Sequence, residues 1–265
     1  MKNLYMVGML LIVSAITLLL PSCGDLIEYS PYDADVKTTN QNNVNISRIL
    51  NAPLPADSLI IAVISDTHAN HTNLNDAIKF INRLTDISFV VINGDITNWG
   101  LAKEYKDFYS DISKLKVPSI TVIGNHDYLS NGAIIYNRLF GAPNFSFVFG
   151  NQKIVVFDNV VWEKGNHSPD FDWLESKLPH DENQTSILFT HIHPWDPQLE
   201  NGYAERMLSI IEKNKVLINV FGHGSNPRFE VMNKRQYLVV PKIAVRAMTR
   251  LSIASDTAVF KIIKF

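Results

Sequence analysis

The stretch Leu59-Ile60-Ile61-Ala62-Val63-Ile64-Ser65-Asp66-Thr67-His68 sets the reading of the whole chain. Its apolar run has no polar alternation and is rich in β-branched side chains, which predicts a strand buried on both faces. A polar cluster begins where the run stops, and the same arrangement recurs downstream. Phe89-Val90-Val91-Ile92 leads into Asn93-Gly94-Asp95, and Ser119-Ile120-Thr121-Val122-Ile123 leads into Gly124-Asn125-His126-Asp127. Ile187-Leu188-Phe189 leads into Thr190-His191-Ile192-His193-Pro194, and Leu217-Ile218-Asn219-Val220-Phe221 leads into Gly222-His223-Gly224-Ser225. Strand end after strand end therefore delivers Asp, Asn or His, and in open α/β sheets ligands bind at the carboxyl edge of the strands.

Between the early strands lie helical patterns. Leu74, Ile78, Ile81 and Leu84, and then Leu101, Tyr105, Phe108, Ile112 and Leu115, step by three and four residues and so trace one apolar face each. A third such pattern carries Met207, Leu208 and Ile211. Alternating strand and helix in the first half predicts parallel βαβ units. The strand-like runs after residue 228 have no helix between them, which predicts an antiparallel, β-rich closing region. The 265 residues carry 24 Lys and Arg against 26 Asp and Glu, with 46% hydrophobic residues. That balance belongs to a chain with a core; it excludes intrinsic disorder and the basic excess of a nucleic-acid binder. The single cysteine, Cys23, excludes a disulfide framework and a thiolate metal site. Chemistry here has to rest on oxygen and nitrogen ligands.

The N-terminus reads differently. Lys2 precedes an uncharged apolar run from Leu4 to Leu20, the layout of a secretory leader. Leu20-Pro21-Ser22-Cys23 resembles a bacterial lipobox, which implies a lipoprotein signal peptide over 1–22 and lipid attachment at Cys23. Residues 23–57, punctuated by Pro31, Pro53 and Pro55 and containing Thr-Thr-Asn-Gln-Asn-Asn-Val-Asn at 38–45, read as a flexible tether without a core of its own. The globular domain is then expected over 58–265. A lipid-anchored protein of the bacterial cell envelope, facing the periplasm or the exterior, is the location this implies, with the membrane met only through the lipid.

Asp66-x-His68, Gly94-Asp95, Gly124-Asn125-His126-Asp127, His191 and Gly222-His223, in that order, resemble the signature of calcineurin-like metallophosphoesterases. The resemblance implies an α/β fold, the calcineurin-like four-layer β-sandwich of two mixed sheets flanked by helices. It also implies a phosphoesterase that cleaves a phosphate mono- or diester by attack of a metal-bound hydroxide at a dinuclear site. Carried onto this chain, Asp66 and His68 hold the first metal, Asp95 bridges, and Asn125, His191 and His223 hold the second. His126 donates a proton to the leaving group or stabilises the transition state, and Asp127 is its candidate orienting partner. Such an oxygen and nitrogen donor set takes two divalent or trivalent ions, Mn, Fe, Zn or Ni, without selecting among them.

The chain departs from the family pattern at Ser225, where Gly-His-x-His has its second histidine. A hydroxyl is a weaker ligand than an imidazole, so the first metal is expected to be held loosely, or the protein to be a weakened or inactive relative that binds a phosphorylated ligand. His193, two residues after His191, is a substrate-facing candidate, as are Asn70 and Ser225. Gly94-Asp95-Ile96-Thr97-Asn98-Trp99-Gly100 followed by Glu104-Tyr105 resembles the phosphodiesterase-type branch. The partner this implies is a small phosphorylated substrate.

Overall fold

The computed structural model describes residues 33–55, 57–178, 184–224 and 226–265. The leader expected over 1–22, Cys23 and Ser225 lie outside them. In chain order the elements are α1 (Gln41–Leu50), β1 (Leu59–Ile64), α2 (His71–Ile81), β2 (Phe89–Asn93), α3 (Ala102–Ile112), β3 (Ser119–Val122), α4 (Gly132–Leu139), β4 (Phe145–Phe149), β5 (Gln152–Val156), α5 (Phe171–Lys177), β6 (Thr185–Phe189), α6 (Tyr203–Lys213), β7 (Val216–Phe221), β8 (Arg228–Met232), β9 (Arg235–Val239), β10 (Ala247–Ala254) and β11 (Thr257–Lys264).

The strands form two mixed sheets, ordered β11-β10-β1-β2-β3 and β4-β5-β6-β7-β9-β8. Alternation along β1 shows why they stack. Leu59, Ile61 and Val63 face the other sheet, meeting Ile154, Ile187, Ile218 and their neighbours, while Ile60, Ala62 and Ile64 face α2 and α3. A strand buried on both sides has no polar face, hence its uninterrupted apolar run. The second sheet repeats the scheme, with Val155, Leu188 and Val239 turned outward against α5 and α6. The result is four layers, helix, sheet, sheet, helix, as the family resemblance implies.

In the first sheet β1, β2 and β3 are parallel, and in the second β5, β6, β7 and β9 are parallel. The polar strand ends therefore gather at one edge. The closing region is antiparallel only in its hairpins, β8 with β9 and β10 with β11, and in the pairing of β10 with β1. β9 lies parallel to β7, because β8 sits outside it as the edge strand.

The tether expected over 23–57 is corrected within 41–50, which is α1. Asn42 is buried there; its amide donates to Thr121 O at 2.9 Å and its Oδ1 accepts from Thr121 N at 2.8 Å. One side chain thus supplies the pairing that the open edge of β3 lacks, and Ile49 enters the core between the sheets. Tertiary contact holds this polar helix, which composition alone does not reveal. Replacing Asn42 by Ala strands the buried Thr121 N–H, while Thr121 O keeps its bond from Tyr136 Oη, so Asn42→Ala is expected to lower stability by about 1–3 kcal/mol, read from urea unfolding midpoints.

Candidate metal centre

Two loops, after β1 and after β2, are zipped together by their backbones. Asp66 N donates to Gly94 O, His68 N to Asp95 O and Ala69 N to Ile96 O. The price is conformational: Asp66, His68, Ala69 and Asp95 have φ between 43° and 53°, and His223 has φ 51°. Left-handed backbone costs a non-glycine residue roughly 1 kcal/mol, and clusters of it mark sites that the surrounding structure over-determines. Two glycines make room for His191. A Cβ on Gly94 would sit 2.3 Å from His191 Nδ1, and one on Gly222 would sit 2.8 Å from it.

Asp95 is the hub. Its Oδ1 lies 3.2 Å from His191 Nε2 and accepts from His126 N at 3.0 Å, while its Oδ2 lies 3.4 Å from His68 Nε2. Donor atoms of His68, Asp95 and His126 form one group within 4.8 Å, and those of Asp95, His191 and His223 form another. Asp95 belongs to both. Three further atoms are buried without a hydrogen-bond partner: Asp66 Oδ2, Asn125 Oδ1 and His191 Nε2. Since His191 Nδ1 is 2.8 Å from the Asn93 carbonyl and donates to it, Nε2 is the ring nitrogen left to face a cation once it gives up its proton. Buried acceptors without donors, gathered around a shared carboxylate, fit cations.

Electrostatics agree. Burial raises Asp66, and only partly do His191 and His68 oppose it. Burial would raise Asp95 too, but His191, then His68 and His126, hold it below the ordinary carboxylate range. Burial lowers His191, yet Asp95 outweighs this and takes it up to about 10. Without metal the positive charge beside Asp95 is thus a proton on His191 Nε2, 3.2 Å from Asp95 Oδ1, and a bound cation would take that proton's place.

The expected residues do not all play their expected parts. His126 Nδ1 is 2.9 Å from the Asn98 carbonyl, and its ring meets His68 edge-on at 4.6 Å. Asp127 is not its orienting partner, which corrects that assignment. The Asp127 carboxylate is fully buried and accepts from Gly124 N, Ile96 N, Thr97 N and Thr97 Oγ1 at 2.9–3.1 Å. It clamps the loop after β3 to the loop after β2, while burial and then Asp95 push it up to about 7 against those donors. Glu104 accepts from Asn98 N, Trp99 N and Leu101 N, and Tyr105 Oη donates to Asp127 O, so the Glu-Tyr pair supports the same loop. Asn70 caps α2, its Oδ1 accepting from Asn73 N at 3.1 Å. His193 stands half-buried beside Trp195 and His223, outside both donor groups.

Two carboxylates absent from the sequence reading touch ligand side chains. Glu163 Oε1 accepts from Asn125 Nδ2 at 2.8 Å, and Asp196 Oδ2 lies 3.2 Å from His223 Nε2. Neither sits in a strand-end motif, and no local spacing signals the contact. For Asp127, exchange to Asn puts an NH2 against backbone donors; Asp127→Asn is expected to cost about 2 kcal/mol or more of stability, measured by chemical denaturation.

A family model described as calcineurin-like phosphoesterase matches residues 59–225. A probable cyclic nucleotide phosphodiesterase of Xenorhabdus bovienii is 26% identical over 199 residues, covering 68% of this chain and 77% of that one. A glycerophosphodiester phosphodiesterase of Enterobacter lignolyticus is 27% identical over 210 residues, covering 63% of this chain and 71% of its own. Among solved structures, a dimetal phosphatase from Danio rerio superposes with a TM-score of 0.62 at 13% identity, over 77% of this chain and 98% of that one. The last of these speaks to the fold alone.

Proposed function

The chain belongs to the calcineurin-like phosphoesterase family and is a hydrolase of phosphate esters, and from that premise we propose that it cleaves a phosphodiester at a site where Asp95 would serve as a ligand common to two cations. One observation carries this reading: the Asp95 carboxylate is shared by two groups of donor atoms, with buried side-chain atoms of Asp66, Asn125 and His191 that lack a hydrogen-bond partner around it. Asp66 and His68 would hold one cation, and Asn125, His191 and His223 the other. Two cations held by these residues would supply charge neutralisation for the phosphoryl group and lower the pKa of a bound water. The diester preference is supported by the two phosphodiesterases to which the chain is similar.

His126 handles the proton. Its Nδ1 is engaged by the Asn98 carbonyl, so Nε2 is the nitrogen from which it serves the site. Protonated there, it delivers a proton to the departing alkoxide. Trp99 and Trp162 are exposed neighbours of Asn98 and Glu163 and offer apolar surface to the organic part of a substrate. With Mn or Zn supplied, turnover of bis-p-nitrophenyl phosphate is expected, and Asp95→Ala is expected to abolish it. His126→Ala is expected to slow an alkyl diester about 10²–10⁴-fold and the nitrophenyl diester much less, because nitrophenolate leaves without a proton. Equal losses on both substrates would sink the general-acid role.

We also propose attachment of the protein to the outer face of a bacterial membrane through lipid on Cys23, on the strength of the apolar run ending at Leu20-Pro21-Ser22-Cys23. Among the described residues no helix is long and apolar enough to cross a membrane. Labelling with radioactive palmitate checks this: wild type is expected to take up label and Cys23→Ala to lose it, moving to the soluble fraction.

A further inference from the structure

We propose that Glu163 and Asp196 are positioning residues that make the Asn125, His191 and His223 half of the centre its tightly binding half. This rests on the two-cation reading above. Each of the three ligands is held from behind. Asn125 Nδ2 donates to Glu163 Oε1 at 2.8 Å, His191 Nδ1 to the Asn93 carbonyl at 2.8 Å, and His223 Nε2 lies 3.2 Å from Asp196 Oδ2.

The chemistry of each contact is directional. A carboxylate only accepts, so Glu163 selects the NH2 end of Asn125 and leaves its Oδ1, buried and unpartnered, as the end for a cation. Without Glu163 nothing in that pairing distinguishes one amide orientation from its flip. Asp196 occupies one ring nitrogen of His223, which fixes the ring and makes the other nitrogen a better donor, the usual role of a carboxylate behind a ligating histidine. The Asp196 carboxylate is itself fixed, and so is the turn that carries Glu163. Asp196 Oδ1 accepts from Gln198 N at 2.9 Å. Glu163 sits in the turn Trp162–Lys164, whose Lys164 Nζ binds Asp158 Oδ2 at 2.7 Å, the same carboxylate oxygen that receives Tyr128 Oη from the motif loop.

In the other half the histidine lacks this support. His68 Nε2 lies 3.4 Å from Asp95 and its ring meets His126 edge-on, and among the described residues no hydrogen-bonded carboxylate or carbonyl holds the His68 ring from behind. Residue 225, where the family pattern Gly-His-x-His has its second histidine, is Ser in this sequence. The two cations are thus expected to bind unequally, with the better-buttressed half filling first.

The test strips the full chain with chelator and titrates Co(II), following d–d absorption and stoichiometry. Wild type is expected to fill one site tightly and a second at much higher metal. Glu163→Ala and Asp196→Ala are each expected to weaken the tight ion about 10–100-fold and leave the weak one in place. Glu163→Gln keeps an acceptor for Asn125 Nδ2 and is expected to restore tight binding; Asp196→Asn keeps the hydrogen bond without the charge and is expected to fall between. Circular dichroism of the stripped variants checks folding, and if an alanine variant is misfolded its conservative partner carries the comparison. Tight-site affinity within twofold of wild type in both alanine variants, or losses confined to the weak ion, overturns the proposal while leaving two-cation binding intact. A wild type that takes up no cobalt at millimolar metal overturns both.

Discussion

The centre depends on Asn93, the last residue of β2, which joins the ends of both sheets. Its amide donates to Thr190 O at 3.0 Å and Val220 O at 3.3 Å, at the ends of β6 and β7, while its carbonyl accepts from Ser65 Oγ at 2.9 Å and lies 2.8 Å from His191 Nδ1. A sandwich held only by apolar side chains tolerates small slips of one sheet over the other, because dispersion and hydrophobic burial are weakly directional. Hydrogen bonds across the sandwich are directional, and three of them, to Thr190, Val220 and His191, converge on this residue. They fix the separation between the loop that carries Asp95 and the strands that carry His191 and His223.

That constraint explains the backbone found around it. With both sheets pinned at Asn93, the loops after β1 and β2 have little room in which to bring Asp66, His68 and Asp95 inward, and they do so in left-handed conformations. Asp and His tolerate this region better than branched side chains, so residue types needed as ligands are also types the backbone accepts. The interloop hydrogen bonds from Asp66, His68 and Ala69 offset the cost. Fold and ligand placement are one arrangement, and the strain in it is stored where the donor atoms meet.

Much of this was legible in the sequence. Apolar runs without alternation identified β1, β2, β6 and β7, because strands buried on both faces need no polar side, and the polar residues directly after them marked the active edge. What the sequence concealed is set by contacts between distant segments. α1 has a weak apolar pattern and is held by Asn42 pairing with Thr121, 79 residues away. Glu163 and Asp196 lie in loops with no motif, and their importance comes from facing Asn125 and His223. Asp127 stands within a recognised motif, yet its neighbour His126 turned out to be oriented by Asn98. Adjacency in a motif says that two residues serve one place; it does not say that they touch.

Asp127 also shows how the centre is insulated from its surroundings. Its carboxylate reaches three backbone N–H groups and a hydroxyl on two loops, and its own carbonyl accepts from Tyr105. Every one of these contacts requires an acceptor and none requires bulk. The immediate chain neighbours of Asp95 and Asn125 are therefore fixed by charge and lone pairs: Ile96 and Thr97 on one side, Gly124 on the other. An acceptor replaced by a donor at position 127 would splay two ligand-bearing loops at once, although residue 127 itself holds neither substrate nor cation.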